Sequence, residues 1–100
     1  MFGTIGRARP KPGKQADFWE LQAFWQERVR PKVPGSFLEL VGRSHNRPDE
    51  IVFIALAQDE PTYRQLAELP AQGEFYRRLV ELLEEEPTWE DVALDIVVQD

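Results

Sequence analysis

The sequence predicts an α+β domain whose elements run β-α-β-β-α-β. Three observations carry that expectation. The run Ile51-Val52-Phe53-Ile54-Ala55-Leu56-Ala57 has no polar residue on either parity. Alternate side chains of a strand point to opposite faces, so this strand must be covered on both. Between Lys14 and Arg30, Phe18, Leu21, Trp25 and Val29 follow at steps of three, four and four, which is a helical period. The segment His45-Asn46-Arg47-Pro48-Asp49 is rich in turn formers and joins two apolar runs as a hairpin.

The elements follow in order. Met1 to Ala8 reads as a first strand, with Phe2, Thr4, Gly6 and Ala8 on one parity and Gly3, Ile5 and Arg7 on the other. Pro10 and Pro12 end it, because neither has an N–H for a ladder. The helix from Lys14 to Arg30 carries the aromatic stripe, widened by Trp19 and Phe24, and Pro31, Pro34 and Gly35 stop it. Ser36 to Ser44 reads as a second strand, its stretch Phe37-Leu38-Glu39-Leu40-Val41 apolar except at Glu39, and the Ile51 run is the third. Asp59 is placed to cap a short helix that opens at Pro61 and runs through Leu69. Pro70 interrupts, and a longer helix is expected over Glu74 to Glu85, with Phe75, Leu79 and Leu82 beside Tyr76, Val80 and Leu83 as a wide apolar face. Val92 to Val98, broken only by Asp95, is the expected last strand.

Composition narrows the function classes. One hundred residues with 42% hydrophobic content make one ordinary domain, residues 1–100. Lys plus Arg is 12 and Asp plus Glu is 18, a net charge of −6, which argues against nucleic acid and anionic membranes as partners. There is no cysteine and a single histidine, His45, in the turn-rich segment. Disulfides and thiolate metal sites are therefore excluded, and no metal ligand set or cofactor is expected. Gly3, Gly6, Arg7 and Arg9 interrupt the start, so no secretory leader or membrane span is expected and the cytoplasm is the expected compartment.

The β-α-β-β-α-β order is that of the ferredoxin-like fold: a four-stranded antiparallel sheet, strand order 4-1-3-2, with the helices on one face. The other face of such a sheet should be polar. Here the second, third and last strands carry apolar residues on both parities, a patch larger than soluble monomers usually expose. The expected cover is a second copy, packed sheet to sheet about a two-fold axis.

The chain resembles the dimeric α+β barrel superfamily, and within it the antibiotic biosynthesis monooxygenase domain. The resemblance lies in the helix Phe18-Trp19-Glu20-Leu21-Gln22-Ala23-Phe24-Trp25, in Pro34-Gly35-Ser36-Phe37-Leu38 leading into the second strand, in Asp59-Glu60-Pro61, and in Glu74-Phe75-Tyr76. It implies a homodimer with a pocket between sheet and helices, and cofactor-independent monooxygenation of a small aromatic or quinol-type substrate. Haem-degrading members share an Asn, a Trp and a His. This chain has Arg7, Leu66 or Leu69, and Leu79 at the corresponding places, so that route is disfavoured.

Seven residues are the candidate pocket: Arg7, Phe18, Trp25, Glu39, Tyr63, Phe75 and Tyr76. Arg7, Tyr63 and Tyr76 are the catalytic candidates. Arg7 is either a strand-end arginine reaching water or an anchor for an anionic substrate. Glu39 is either exposed on an edge strand or buried with a raised pKa. The aromatic residues are either plain core or a pocket lining for an aromatic ligand. Two functions remain open: the monooxygenase, and a non-catalytic homodimeric binding domain whose helix–sheet gap is filled. An open gap reached by Arg7 and a tyrosine would favour the enzyme.

Overall fold

A computed structural model describes residues 1–100. The observed elements are β1 (Phe2–Ala8), α1 (Gln15–Arg28), β2 (Phe37–Arg43), β3 (Ile51–Ala57), α2 (Glu60–Glu68), α3 (Pro70–Glu81) and β4 (Thr88–Ala93), with a short 3-10 turn at Arg30–Lys32 after α1. The sheet order is β2-β3-β1-β4, every neighbouring pair antiparallel. This is the expected α+β arrangement, with β1 and β3 central.

The register assigns the faces. Gly6 pairs with Phe53 and Trp89, Ile5 with Ile54 and Glu90, and Leu40 with Ile54. Ala8, Ile51 and Phe53 enter the core with Phe18, Leu21, Trp25 and Val29 of α1 and Phe75 and Leu79 of α3. Thr4, Gly6, Glu39, Ala55 and Trp89 therefore point toward the helices. By alternation, Ile5, Arg7, Leu38, Leu40, Val52 and Ile54 lie on the opposite face. On that face Leu38 is 42% and Leu40 53% exposed. No helix is long and apolar enough to cross a membrane.

Local chemistry accounts for the boundaries. Asp59 caps α2, its Oδ1 accepting Thr62 N–H at 2.9 Å. Hydrogen bonding to the Thr62 side chain, and then to its N–H, holds the Asp59 carboxyl below its usual range. Pro70 does more than interrupt. It occupies the first helical position of α3, where its missing N–H costs nothing, so α3 begins four residues before the expected Glu74 and ends at Glu81. Beyond it the chain turns back onto the end of β1, with Lys11 N–H donating to Leu82 O at 2.8 Å and Glu84 N–H to Arg9 O at 2.9 Å. Glu84-Glu85-Glu86 is thus a strap leading to β4 rather than the end of a helix reaching Glu85. Arg9 lies 3.3 Å from Asp49, 3.5 Å from Glu85 and 3.9 Å from Glu84, although its Nε is not aligned for a hydrogen bond.

The last strand corrects the sequence expectation. It is Thr88–Ala93, not Val92 to Val98. The strap delivers the chain to Arg7, which pairs with Thr88, and β1 is used up where Phe2 pairs with Ala93. One further bond, Leu94 N–H to Met1 O at 2.8 Å, closes the ladder. Ile96, Val97 and Val98 have no strand left to pair with and are 62%, 90% and 76% exposed. On α1, Trp19 does not widen the buried stripe: it is 57% exposed, and Gln22 is buried in its stead.

Candidate functional site

Between sheet and helices lies an open cavity of about 230 Å³. The sheet supplies Thr4, Phe37, Glu39, Phe53, Ala55 and Trp89; α1 supplies Trp25; α2 and α3 supply Tyr63, Leu66, Gln72, Phe75, Tyr76 and Leu79. Strand alternation places the first group, because each of those sheet residues has the parity of the core residue Phe53. Gly6 belongs to the same set. A methyl group there would overlap the Trp89 ring, so glycine lets that indole lie on the cavity floor.

The aromatic rings form a connected lining. Trp25 and Phe37 have centroids 5.0 Å apart, Phe53 and Trp89 5.9 Å, and Tyr76 and Trp89 6.3 Å. These are packing distances for offset and tilted rings. Trp25 is held upright by its indole N–H, which donates to Gln72 Oε1 at 2.7 Å. Tyr76 and Trp89 are 37% and 41% exposed and form the mouth.

The polar groups are few. Tyr63 donates its hydroxyl to Asp91 Oδ1 at 3.2 Å. Burial first, and then the Asp91 carboxylate, push the Tyr63 hydroxyl above its usual range. Tyr63 is therefore a neutral phenol rather than a base. Glu39 points into the cavity from β2, and burial alone raises its carboxyl above the ordinary carboxylate range. No Lys, Arg or His lines the cavity, and nowhere do three or more His, Cys, Asp or Glu side chains come together as a metal site.

Of the seven pocket candidates, Trp25, Glu39, Tyr63, Phe75 and Tyr76 line the cavity. Two do not. Arg7 has the parity of Ile5, so it projects from the opposite face and donates to Glu50 Oε1 at 3.2 Å. Phe18 is fully buried and packs edge-on to Trp19 and tilted against Phe53, as core. The sequence reading also missed Thr4, Phe37, Phe53, Gln72 and Trp89. The parity of Phe53 and Phe37 was the available signal for two of them. His45 is exposed in the β2–β3 turn.

Glu39 has a thermodynamic consequence. The folded state holds the Glu39 proton more tightly than the unfolded chain does. Its contribution is complete below the ordinary carboxylate range and is lost as pH rises through the raised folded value. Glu39→Gln is expected to stabilise the fold near neutral pH by about 1 kcal/mol, the low end for a partly buried unpaired polar group. The gain should vanish in acid, as urea titrations across pH would show.

Solved structures share this architecture. A protein from Caulobacter crescentus CB15 named "putative antibiotic biosynthesis monooxygenase" superposes with a TM-score of 0.79 at 16% identity, covering 94% of this chain and 90% of that one. One of the same name from Deinococcus radiodurans gives 0.74 at 16% identity, covering all of both chains. A conserved protein from Methanosarcina mazei Go1 gives 0.77 at 20% identity over 91% of this chain and 89% of that one. No family model and no curated protein matches the sequence. The chain thus shares the ferredoxin-like α+β fold of these proteins.

Proposed function

We propose that the protein is a cofactor-independent monooxygenase that acts on a small aromatic or quinol-type substrate in the cavity between helices and sheet. The observation that carries this reading is the open, ring-lined cavity with tyrosines at its wall and mouth. The names of the structural neighbours support the reaction class. In such a reaction the substrate supplies its own electrons: a ring CH2 and O2 give a ring C=O and water. One oxygen atom enters the substrate and the other leaves with both hydrogens. Tyr76, at the mouth, is assigned the hydrogen bond to the substrate oxygen. Tyr63, already bonded to Asp91, has its hydroxyl oxygen left to accept one.

The protein acts as a homodimer in this proposal. The second copy covers Leu38, Leu40, Val52, Ile54 and Ile5, an apolar set on a face that no helix of this chain reaches. Arg7 takes no part in substrate binding, because it lies on that same face.

A non-catalytic homodimeric binding domain is the second reading. It is favoured by the indole N–H of Trp25 and the hydroxyl of Tyr63 being spent on internal partners. Oxygen uptake with a panel of quinols and anthrones separates the two. The enzyme reading expects turnover, with kcat/KM reduced by a factor on the order of ten to a hundred in Tyr76→Phe, the scale for losing one hydrogen bond made in the transition state. Absence of uptake with every substrate would put the binding domain first.

A further inference from the structure

The charge of the cavity is one-sided. Seven aromatic rings line it, yet its one carboxylate, Glu39, has no cation beside it. The arginine on the Phe37 ring, Arg30, is spent elsewhere: its Nη1 donates to Val33 O at 2.8 Å and its Nη2 to Gly35 O at 3.2 Å. Arg64, at the Tyr63 end, pairs with Glu60 and Asp91. Glu39 also lines an adjoining opening, whose wall includes Gln22 of α1. Gln22 is only 4% exposed, and neither atom of its amide has a hydrogen-bond partner. Buried polar atoms are nearly always paired, so the unpartnered Gln22 amide, on the same opening as a part-buried Glu39 that has no cation, marks a place built for something else.

We propose that the cavity selects a small aromatic amine in its protonated form, with the ring among Trp25, Phe37, Phe53 and Trp89 and the ammonium on Glu39 beside the Gln22 amide. This deepens the functional reading by naming the substrate class, and it rests on that reading only for the position of the site. An ammonium carries several N–H donors and no acceptor. The part-buried Glu39 carboxylate and the buried Gln22 Oε1 are both acceptors. The faces of the surrounding rings add an attraction that favours cations and is strongest for indole. A carboxylate ligand would meet Glu39 as a like charge with no cation to offset it, so anions are excluded. A neutral alcohol would supply one donor and no charge.

The test is a ligand titration read by tryptophan fluorescence, since Trp25 and Trp89 line the cavity. The probes are benzylamine, benzyl alcohol and benzoate, alike in ring and reach but cationic, neutral and anionic at neutral pH. Benzylamine is expected to bind at least about tenfold more tightly than benzyl alcohol, the scale of one charge-assisted contact, and benzoate weakest. Glu39→Gln should bring benzylamine down to the level of benzyl alcohol while leaving the alcohol within about twofold. Its melting curve verifies that the variant is folded. Equal affinities for amine and alcohol, tightest binding of benzoate, an amine preference that survives Glu39→Gln, or no binding of any probe would overturn the proposal. No oxygen chemistry enters the assay. Amine selectivity without oxygen uptake would sink the monooxygenase reading alone, and uptake without amine selectivity would sink this inference alone.

Discussion

Ile54→Lys is expected to break the proposed dimer into folded monomers. Ile54 sits at the middle of a row that crosses the open face of the sheet, paired with Leu40 of β2 on one side and Ile5 of β1 on the other. Facing a second copy about a two-fold axis, this row would lie near the centre of the contact, where each lysine enters twice. Burying an unpaired ammonium costs several kcal/mol, and every 1.4 kcal/mol is a factor of about ten in affinity. The dissociation constant should therefore rise by a factor on the order of a hundred or more. In the monomer the same lysine faces water, so helices, core and cavity are undisturbed. Sedimentation should show wild type at twice the 11.6 kDa chain mass and the variant at that mass. Trp19→Ala, on the exposed side of α1, should leave the wild-type species unchanged. A wild type that sediments as a single chain at micromolar concentration would end the dimer proposal.

The pattern that motivates this experiment was legible in the residues. An all-apolar β3 calls for the centre of a sheet, and the structure places it between β2 and β1. The α1 stripe was equally legible, since Phe18, Leu21, Trp25 and Val29 repeat at the helical period and all four are buried. The last strand was not. Thr88-Trp89-Glu90-Asp91 is polar because β4 is an edge strand, with side chains near water on both faces. Its position is fixed by where the strap after α3 meets β1. That is a tertiary fact, and the apolar Val92 to Val98 outweighed it on propensity alone.

The misplaced strand cost the site one of its principal rings, Trp89. Arg7, expected in the pocket, lies on the face that the helices do not cover. Strand alternation shows that Arg7 and Thr4 lie on opposite faces. It does not show which face the helices cover when both glycines of the strand are silent. Pairing with β3 settles it, because Gly6 lies opposite Phe53, which belongs to the core. Gln72 escaped notice for a similar reason. A glutamine in a helix gives no periodic signal, and its part in the site is a single hydrogen bond to a residue 47 positions away.

Trp25→Ala should strongly destabilise the fold and should separate the cavity from the core. Trp25 is 4% exposed, its ring 5.0 Å from that of Phe37 and its N–H bound to Gln72. Truncation removes the ring, leaves a void, and frees Gln72 Oε1 inside the protein. Large aromatic truncations of this kind cost about 3–5 kcal/mol, against a total of about 5–15 kcal/mol for a domain of ordinary stability. Phe18→Ala, at a site with no solvent contact, belongs to the same range. Urea unfolding should therefore place the two variants together. Ligand binding should place them apart. Phe18 lies beneath the cavity floor and outside its lining, so Phe18→Ala should shift benzylamine affinity by no more than about twofold, the limit expected for sites without shared partners. Trp25→Ala removes a wall and a cation-attracting face, and should weaken benzylamine by at least about tenfold. Trp89 remains as the fluorescent reporter in both. If both variants lost stability and affinity in parallel, Trp25 would be core in the same sense as Phe18, and the ring-lined cavity would be a packing gap rather than a binding site.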